Sequence, residues 1–188
     1  MPPRYPVRQL YPDITLYEPI AFDDLEDDSV RLGYEHWNTL RGARPYPSRK
    51  EIDARKIGRA LSHLMLLEVI DHGADYRLRI VGDEVRRAYP VPLGGRLVSE
   101  LALDLPKAVQ TWRNMYRSVT ESGCPIAMRV HVGLDVAEVC FSYAEGVCLP
   151  LGTPDNGVDH LITFASHVLE VVEQGLPSED GHEPESAC

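Results

Sequence analysis

The sequence predicts an α+β domain built on an antiparallel sheet, and three observations carry that prediction. An apolar run from Met65 to Asp71 is followed by a turn and a returning run, Tyr76 to Val81. A long amphipathic segment opens at Pro106 and stops at Gly123. Beyond it come three consecutive stretches rich in β-branched and aromatic residues, 125–134, 137–151 and 159–165. Helices and strands that do not alternate along the chain favour antiparallel pairing over a parallel sheet.

The first predicted element is a helix. Ser29 stands at a capping position, and Val30, Tyr34, Trp37 and Leu40 recur at helical spacing before Gly42 ends the pattern. Ser48 and Glu51 then form a capping-box pair ahead of Ile57, Ala60, Leu61 and Leu64, which predicts a second helix ending near His63.

Met65 to Asp71 is apolar at both parities except for Glu68, as expected of a strand covered on both faces. Asp71 to Asp75 supplies turn residues and Tyr76 to Val81 the second strand of a hairpin, closed by Gly82. Residues 83–89 form a short helical turn stopped by Pro90 and Pro92. Gly94 and Gly95 break the chain again before Leu97. Asp104 and Pro106 start the strongest helix, with Val109, Trp112, Tyr116 and Val119 on one face. The final strands are separated by the turn Pro154-Asp-Asn-Gly157, which brings the expected sheet to five strands.

Residues 1–28, rich in proline and acid, are expected to form an N-terminal arm, residues 29–176 the domain, and residues 177–188 a disordered acidic tail. The chain has 188 residues, 44% of them apolar, which is enough for one buried core. Nineteen basic residues against 29 acidic ones give a formal charge of −10, which disfavours nucleic acid and anionic membrane surfaces as partners. The four cysteines follow no CxxC spacing and the N-terminus carries no apolar leader, so a reducing, cytoplasmic setting is expected. The longest apolar runs fall far short of the ~20 residues that span a bilayer.

Several segments together resemble one family. They are Trp37 with Arg41-Gly-Ala-Arg44, Pro47-Ser-Arg49, Tyr76-Arg-Leu-Arg79 with Gly82, Gly94-Gly-Arg96 and Leu149-Pro-Leu151. In this order and spacing they resemble a PAS domain, in particular the stand-alone PAS-like subfamily common in alphaproteobacteria, over roughly residues 30–168. The resemblance implies a five-stranded antiparallel sheet with crossover helices on one face, an extra N-terminal helix, and a pocket between sheet and crossover. It implies a sensory or interaction domain of bacterial signal transduction, acting on a small molecule or protein partner as a homodimer without catalytic output. A ligand-free adaptor, its core filled by Trp112, Tyr116 and their neighbours, is the alternative.

Within such a pocket the candidate ligand-binding residues are Arg79, Arg86, Tyr89, Trp112 and Tyr116. A strand arginine between Leu78 and Ile80 can bind a carboxylate or phosphate in fork geometry, or pair with a local acid such as Asp83 or Glu84. Arg86, Arg87 and Tyr89 lie on the short helical turn, and a basic and aromatic wall would suit an anionic, partly apolar metabolite. Trp112 and Tyr116 serve equally as core. The dimer surface is sought on the helix bearing Val30, Tyr34, Trp37 and Leu40, whose other role is to pack on its own sheet.

A metal or haem site remains a lesser alternative. His131, Cys140 and His160 have suitable donors but no spacing that requires a metal, so no metal ligand is assigned and the cofactor is left unknown. Flavin photochemistry is disfavoured because 82–101 contains no cysteine. No hydrolase, phosphate-loop, zinc-protease or dinucleotide motif is present, so no enzymatic activity is expected.

Overall fold

The computed structural model describes residues 16–132 and 138–169. Their centre is a six-stranded antiparallel sheet of order β1-β4-β5-β6-β2-β3. The strands are β1 (Leu16–Ile20), β2 (Leu64–Ile70), β3 (Asp75–Val81), β4 (Ile126–His131), β5 (Phe141–Thr153) and β6 (Gly157–Leu169). Four α-helices accompany it: α1 (Asp28–Arg41), α2 (Ala54–Ile57), α3 (Asp83–Arg87) and α4 (Pro106–Ser122). The α+β architecture and the hairpin–crossover–three-strand order agree with the sequence reading.

The sheet has one strand more than expected. β1 comes from the segment assigned to the N-terminal arm and pairs along β4, Tyr17 opposite Val130 and Ile20 opposite Ala127. Its Pro19 suits an edge strand, where one side of the backbone forms no ladder. Further along the same segment, Leu25 is buried and Phe22 stacks on Tyr34 at 4.2 Å. Residues 16–28 thus belong to the packed body. The remainder of the arm, the acidic tail, Leu134, Ala137 and Cys188 lie outside the described residues.

Both faces of the sheet are covered, because strand residues of alternate parity point to opposite sides. On one face Val30, Trp37 and Ile57 meet Leu66, Leu149, Ile162 and Phe164. The Trp37 indole N–H also donates to the Pro150 carbonyl at 2.8 Å. The helix proposed as a dimer surface therefore spends its apolar face on its own sheet. α1 approaches closely because position 33 is glycine: a methyl group there would overlap the Phe164 ring. Its N-cap is Asp27, two residues before Ser29, with the carboxylate accepting from the Ser29 and Val30 N–H groups at 2.8 and 3.0 Å.

The predicted second helix is broken into pieces. The Ser48 and Glu51 capping box forms, but it caps a 3-10 turn, and α2 ends after one turn at Gly58, whose φ of 43° closes it. A second 3-10 stretch carries the chain to β2.

On the opposite face, α3, the 3-10 turn Ser99–Leu103 and α4 cover β2, β3, β5 and β6. Val109, Trp112, Tyr116 and Val119 form the buried stripe of α4, as the sequence periodicity requires. Residues 94–98 shield the outer edge of β3 through bonds such as Val98 N–H to the Tyr76 carbonyl at 2.8 Å.

Candidate functional site

A cavity of about 100 Å³ lies on the crossover face of the sheet. Its floor comes from alternate residues of the central strands: Ala144 and Gly146 on β5, and Thr163, Ala165 and His167 on β6. The register places Ala144 opposite His167, Gly146 opposite Ala165 and Cys148 opposite Thr163. Three positions of this floor carry a methyl group or nothing, which is why space remains above it. Met128 and Val130 of β4 continue the floor towards β1.

Aromatic rings form the wall. Tyr89, just past α3, meets Trp112 of α4 edge-on at 5.1 Å and Phe141 at 5.8 Å. The His167 ring lies edge-on to Phe141 at 4.7 Å and to Tyr89 at 6.0 Å. At the sheet edge, Tyr17 of β1 reaches over the cavity, where its hydroxyl accepts from Thr111 of α4.

Two of the lining residues, Thr163 and His167, carry a fully buried polar atom, the hydroxyl and Nδ1, with no partner among the described residues. Burial holds the His167 imidazole down at about 4, with the nearby His63 adding a smaller push in the same direction. Burial also raises the Tyr89 phenol above its ordinary range. Both groups are therefore uncharged near neutral pH.

The sequence-predicted residues divide into three groups. Tyr89 and Trp112 line the cavity. Tyr116 lies deeper in the core, fully buried and edge-on to Tyr76 at 5.2 Å. Arg79 and Arg86 are on the surface, where Arg79 faces Glu68 at 3.8 Å and Arg86 pairs with Asp83 at 3.0 Å. Arg79 was expected to find Asp83 or Glu84 instead, but it stands diagonally across the ladder from Glu68, within reach of a long side chain. Arg87 pairs with Glu84 at 2.7 Å. The basic wall expected for an anionic ligand is thus absent from the cavity, because each arginine of α3 folds back on the acid three residues before it.

Thr163, His167, Phe141, Gly146 and Tyr17 escaped the sequence reading. The final strand was expected to end at Ala165, whereas β6 continues to Leu169. Extending its two-residue alternation from Leu161 would have put Thr163, Ala165 and His167 on one face.

The register also separates the suggested metal donors. His131 lies opposite Tyr143 and His160 opposite Leu151, eight positions along β5 and so roughly 26 Å apart. Among the described residues no group of three or more His, Cys, Asp or Glu side chains is arranged to hold a metal ion. Cys148 is buried, and its thiol is pushed far up by desolvation. No helix among the described residues is long and apolar enough to cross a membrane.

A second hollow, of about 340 Å³, opens at the start of α1 beside Asp27, Asp28, Arg59 and Ser166. Its polar groups are already engaged. Buried Glu145 accepts from the Glu26 and Asp27 N–H groups at 2.9 and 2.8 Å, and Arg129 Nε approaches its other oxygen at 3.3 Å. This arrangement fixes the N-terminal segment to the sheet.

No curated protein matches the chain. A family model described as PAS domain matches residues 25–154, from the approach to α1 through the end of β5. The match spans the α1 layer, the hairpin, the crossover that walls the cavity and two of the three strands that follow it, and on that ground the chain belongs to the PAS domain family.

Proposed function

We propose that this PAS domain is a cytoplasmic sensory module of bacterial signal transduction. It takes a small molecule into the cavity between the sheet and α4 and passes the event to a protein partner, with no catalytic output of its own. One observation carries the reading: a largely apolar cavity of about 100 Å³ lies between the sheet and α4, walled by Tyr89, Trp112 and Phe141. Small-molecule sites are concave, mostly apolar and largely pre-formed, and in this fold the space lies between sheet and crossover helices.

Ligand binding would act by population shift, favouring one packing of α3 and α4 on the sheet to the extent that the ligand prefers it. Native mass spectrometry of the chain purified from its host tests this reading. A co-purifying small molecule lost on denaturation is the expected result. A clean apo mass, with no thermal shift across a metabolite library, overturns it.

The adaptor reading draws on a different observation, that Trp112 and Tyr116 fill most of the space beneath α4 and leave only about 100 Å³. It predicts partner binding unaffected by any small molecule. In either reading a homodimer must form through a surface other than the apolar face of α1, and light scattering measures whether it forms.

A further inference from the structure

Charge is distributed unevenly along this chain. Residues 41–59 carry seven Lys and Arg against two acids, Glu51 and Asp53, whereas the whole chain has 19 basic residues against 29 acidic ones. Both acids are committed locally. Glu51 accepts from the Ser48 N–H at 2.8 Å and pairs with Arg44 at 2.8 Å, and Asp53 caps α2 by accepting from the Arg55 N–H at 3.0 Å. Arg49, Lys50, Arg55 and Lys56 are exposed and have no acidic partner among the described residues. On α3, by contrast, each arginine pairs with the acid three residues before it.

These cations stand on a fixed support. The Pro47 carbonyl accepts from the Gly152 N–H at 3.0 Å, the capping box holds the 3-10 turn that carries Arg49 and Lys50, and Ile57 is fully buried beneath α2. The strip runs beside α1, with Arg44 bonded to the Leu40 carbonyl near one end and Arg59 3.7 Å from Asp28 at the other. Like charges fixed this close repel one another, and an acidic occupant relieves the repulsion.

One acidic segment leaves the sheet at the end of this strip. β6 stops at Leu169, and Val168 and Arg59 line the same hollow at the start of α1. Residues 170–188 hold six acids, Glu170, Glu173, Glu179, Asp180, Glu183 and Glu185, and no Lys or Arg. A segment of this length reaches up to about 60 Å, against about 21 Å for the whole of α1.

We propose that the strip 49–59 is a docking surface for the chain's own C-terminal segment, residues 170–188, whose carboxylates pair with Arg49, Lys50, Arg55 and Lys56. Single exposed ion pairs are weak, but a tether that starts beside Arg59 keeps the acids at high local concentration, so that several pairs act together. A long polyanion such as a nucleic acid would extend beyond the strip onto a chain whose overall charge is −10. Docked there, the segment covers the outer side of α2 and shuts it to any other acidic partner.

The test places a nitroxide on Cys188 of the isotope-labelled full chain, with Cys124→Ser and Cys140→Ser leaving Cys188 as the accessible thiol, since Cys148 is buried. Relaxation enhancement is read at the amides of 49–59 and, as a reference, of α3, which lies near His167 on the opposite face of the sheet. Docking should broaden 49–59 and spare α3 at about 10 mM salt. The effect should fall about tenfold at about 1 M, where the Debye length shrinks from about 30 to about 3 Å. The same loss is expected at low salt from Arg55→Glu with Lys56→Glu, and from Glu179→Gln, Asp180→Asn, Glu183→Gln and Glu185→Gln together. Equal broadening of both regions, or enhancement that survives salt and the neutralised segment, overturns the proposal. Enhancement seen only between isotope-labelled and nitroxide-bearing chains mixed together overturns it too and assigns the strip to a second copy. No enhancement at 49–59 also overturns it and leaves the strip to an acidic partner protein. The salt comparison and the neutralised segment leave residues 16–169 unaltered in charge, so the outcome stands even where the Arg55 and Lys56 variant fails to fold.

Discussion

The Thr111 hydroxyl of α4 donates to the Tyr17 hydroxyl of β1, joining the crossover helix to the sheet edge across one side of the cavity. Tyr17 is 43% exposed, so the bond closes a boundary between cavity and solvent. Tyr17→Phe keeps the ring and loses the bond, costing about 1 kcal/mol. The expected outcome is faster exchange of a bound probe with little change in its affinity, measured by NMR line shape. Slower or unchanged exchange would remove Tyr17 from the route of entry.

Trp37 supplies the second prediction. It is 1% exposed and hydrogen-bonded to Pro150, so a charge placed there is buried against the sheet. Trp37→Ala should cost about 3–5 kcal/mol, and Trp37→Glu should unfold the domain. A folded Trp37→Glu variant that merely changes its mass in solution would restore α1 as an interface.

Glu145 anchors the N-terminal segment through two backbone N–H groups and Arg129. Glu145→Gln keeps an acceptor and should cost about 1–2 kcal/mol. Glu145→Leu strands both N–H groups and leaves Arg129 with only the Asp24 carbonyl and Glu26, and about 3–5 kcal/mol is expected in urea unfolding.

His167 gives the domain a pH dependence. The unfolded chain takes up a proton there near pH 6.5, the folded chain only near 4, because burial disfavours the imidazolium. Between those values unfolding binds a proton, so stability falls as pH falls, by about 3 kcal/mol when complete. Above pH 6.5 the group contributes no slope. Thermal melts of the protein against His167→Phe should show the difference between them shifting in the variant's favour from pH 6.5 to 4.

Arg79→Ala and Arg86→Ala are expected to change stability by less than about 1 kcal/mol, because both ion pairs are exposed. Neither should alter binding of a small molecule in the cavity. A tenfold loss in either variant would return these arginines to the site.

The architecture was legible wherever side-chain period and local chemistry agreed. The α4 stripe of Val109, Trp112, Tyr116 and Val119, its stop at Gly123, and the hairpin around Asp71 to Asp75 could all be read directly from the sequence. β1 could not, because Leu-Tyr-Glu-Pro-Ile is too short to show a period and its partner, β4, lies more than a hundred residues away. The α2 region misled for the opposite reason: its apolar spacing was helical, yet Gly58 turns the chain away after one turn. The site was half legible. Tyr89 and Trp112 were found by their place on the crossover, whereas the arginines were misjudged because sequence cannot say which way a long side chain turns. His167 was lost with the end of β6.

The alternation on β6 places Thr163, Ala165 and His167 against the cavity and Ile162 and Phe164 against α1. Phe164 in turn fills the notch left by Gly33, with no slack between them. The cavity and the outer helix are consequently separated by the thickness of a single polypeptide backbone. A displacement of that strand on one side has nowhere to dissipate on the other, since close-packed interiors transmit strain. Through that strand the cavity lies as close to α1, on the reverse of the sheet, as to the helices that form its own roof.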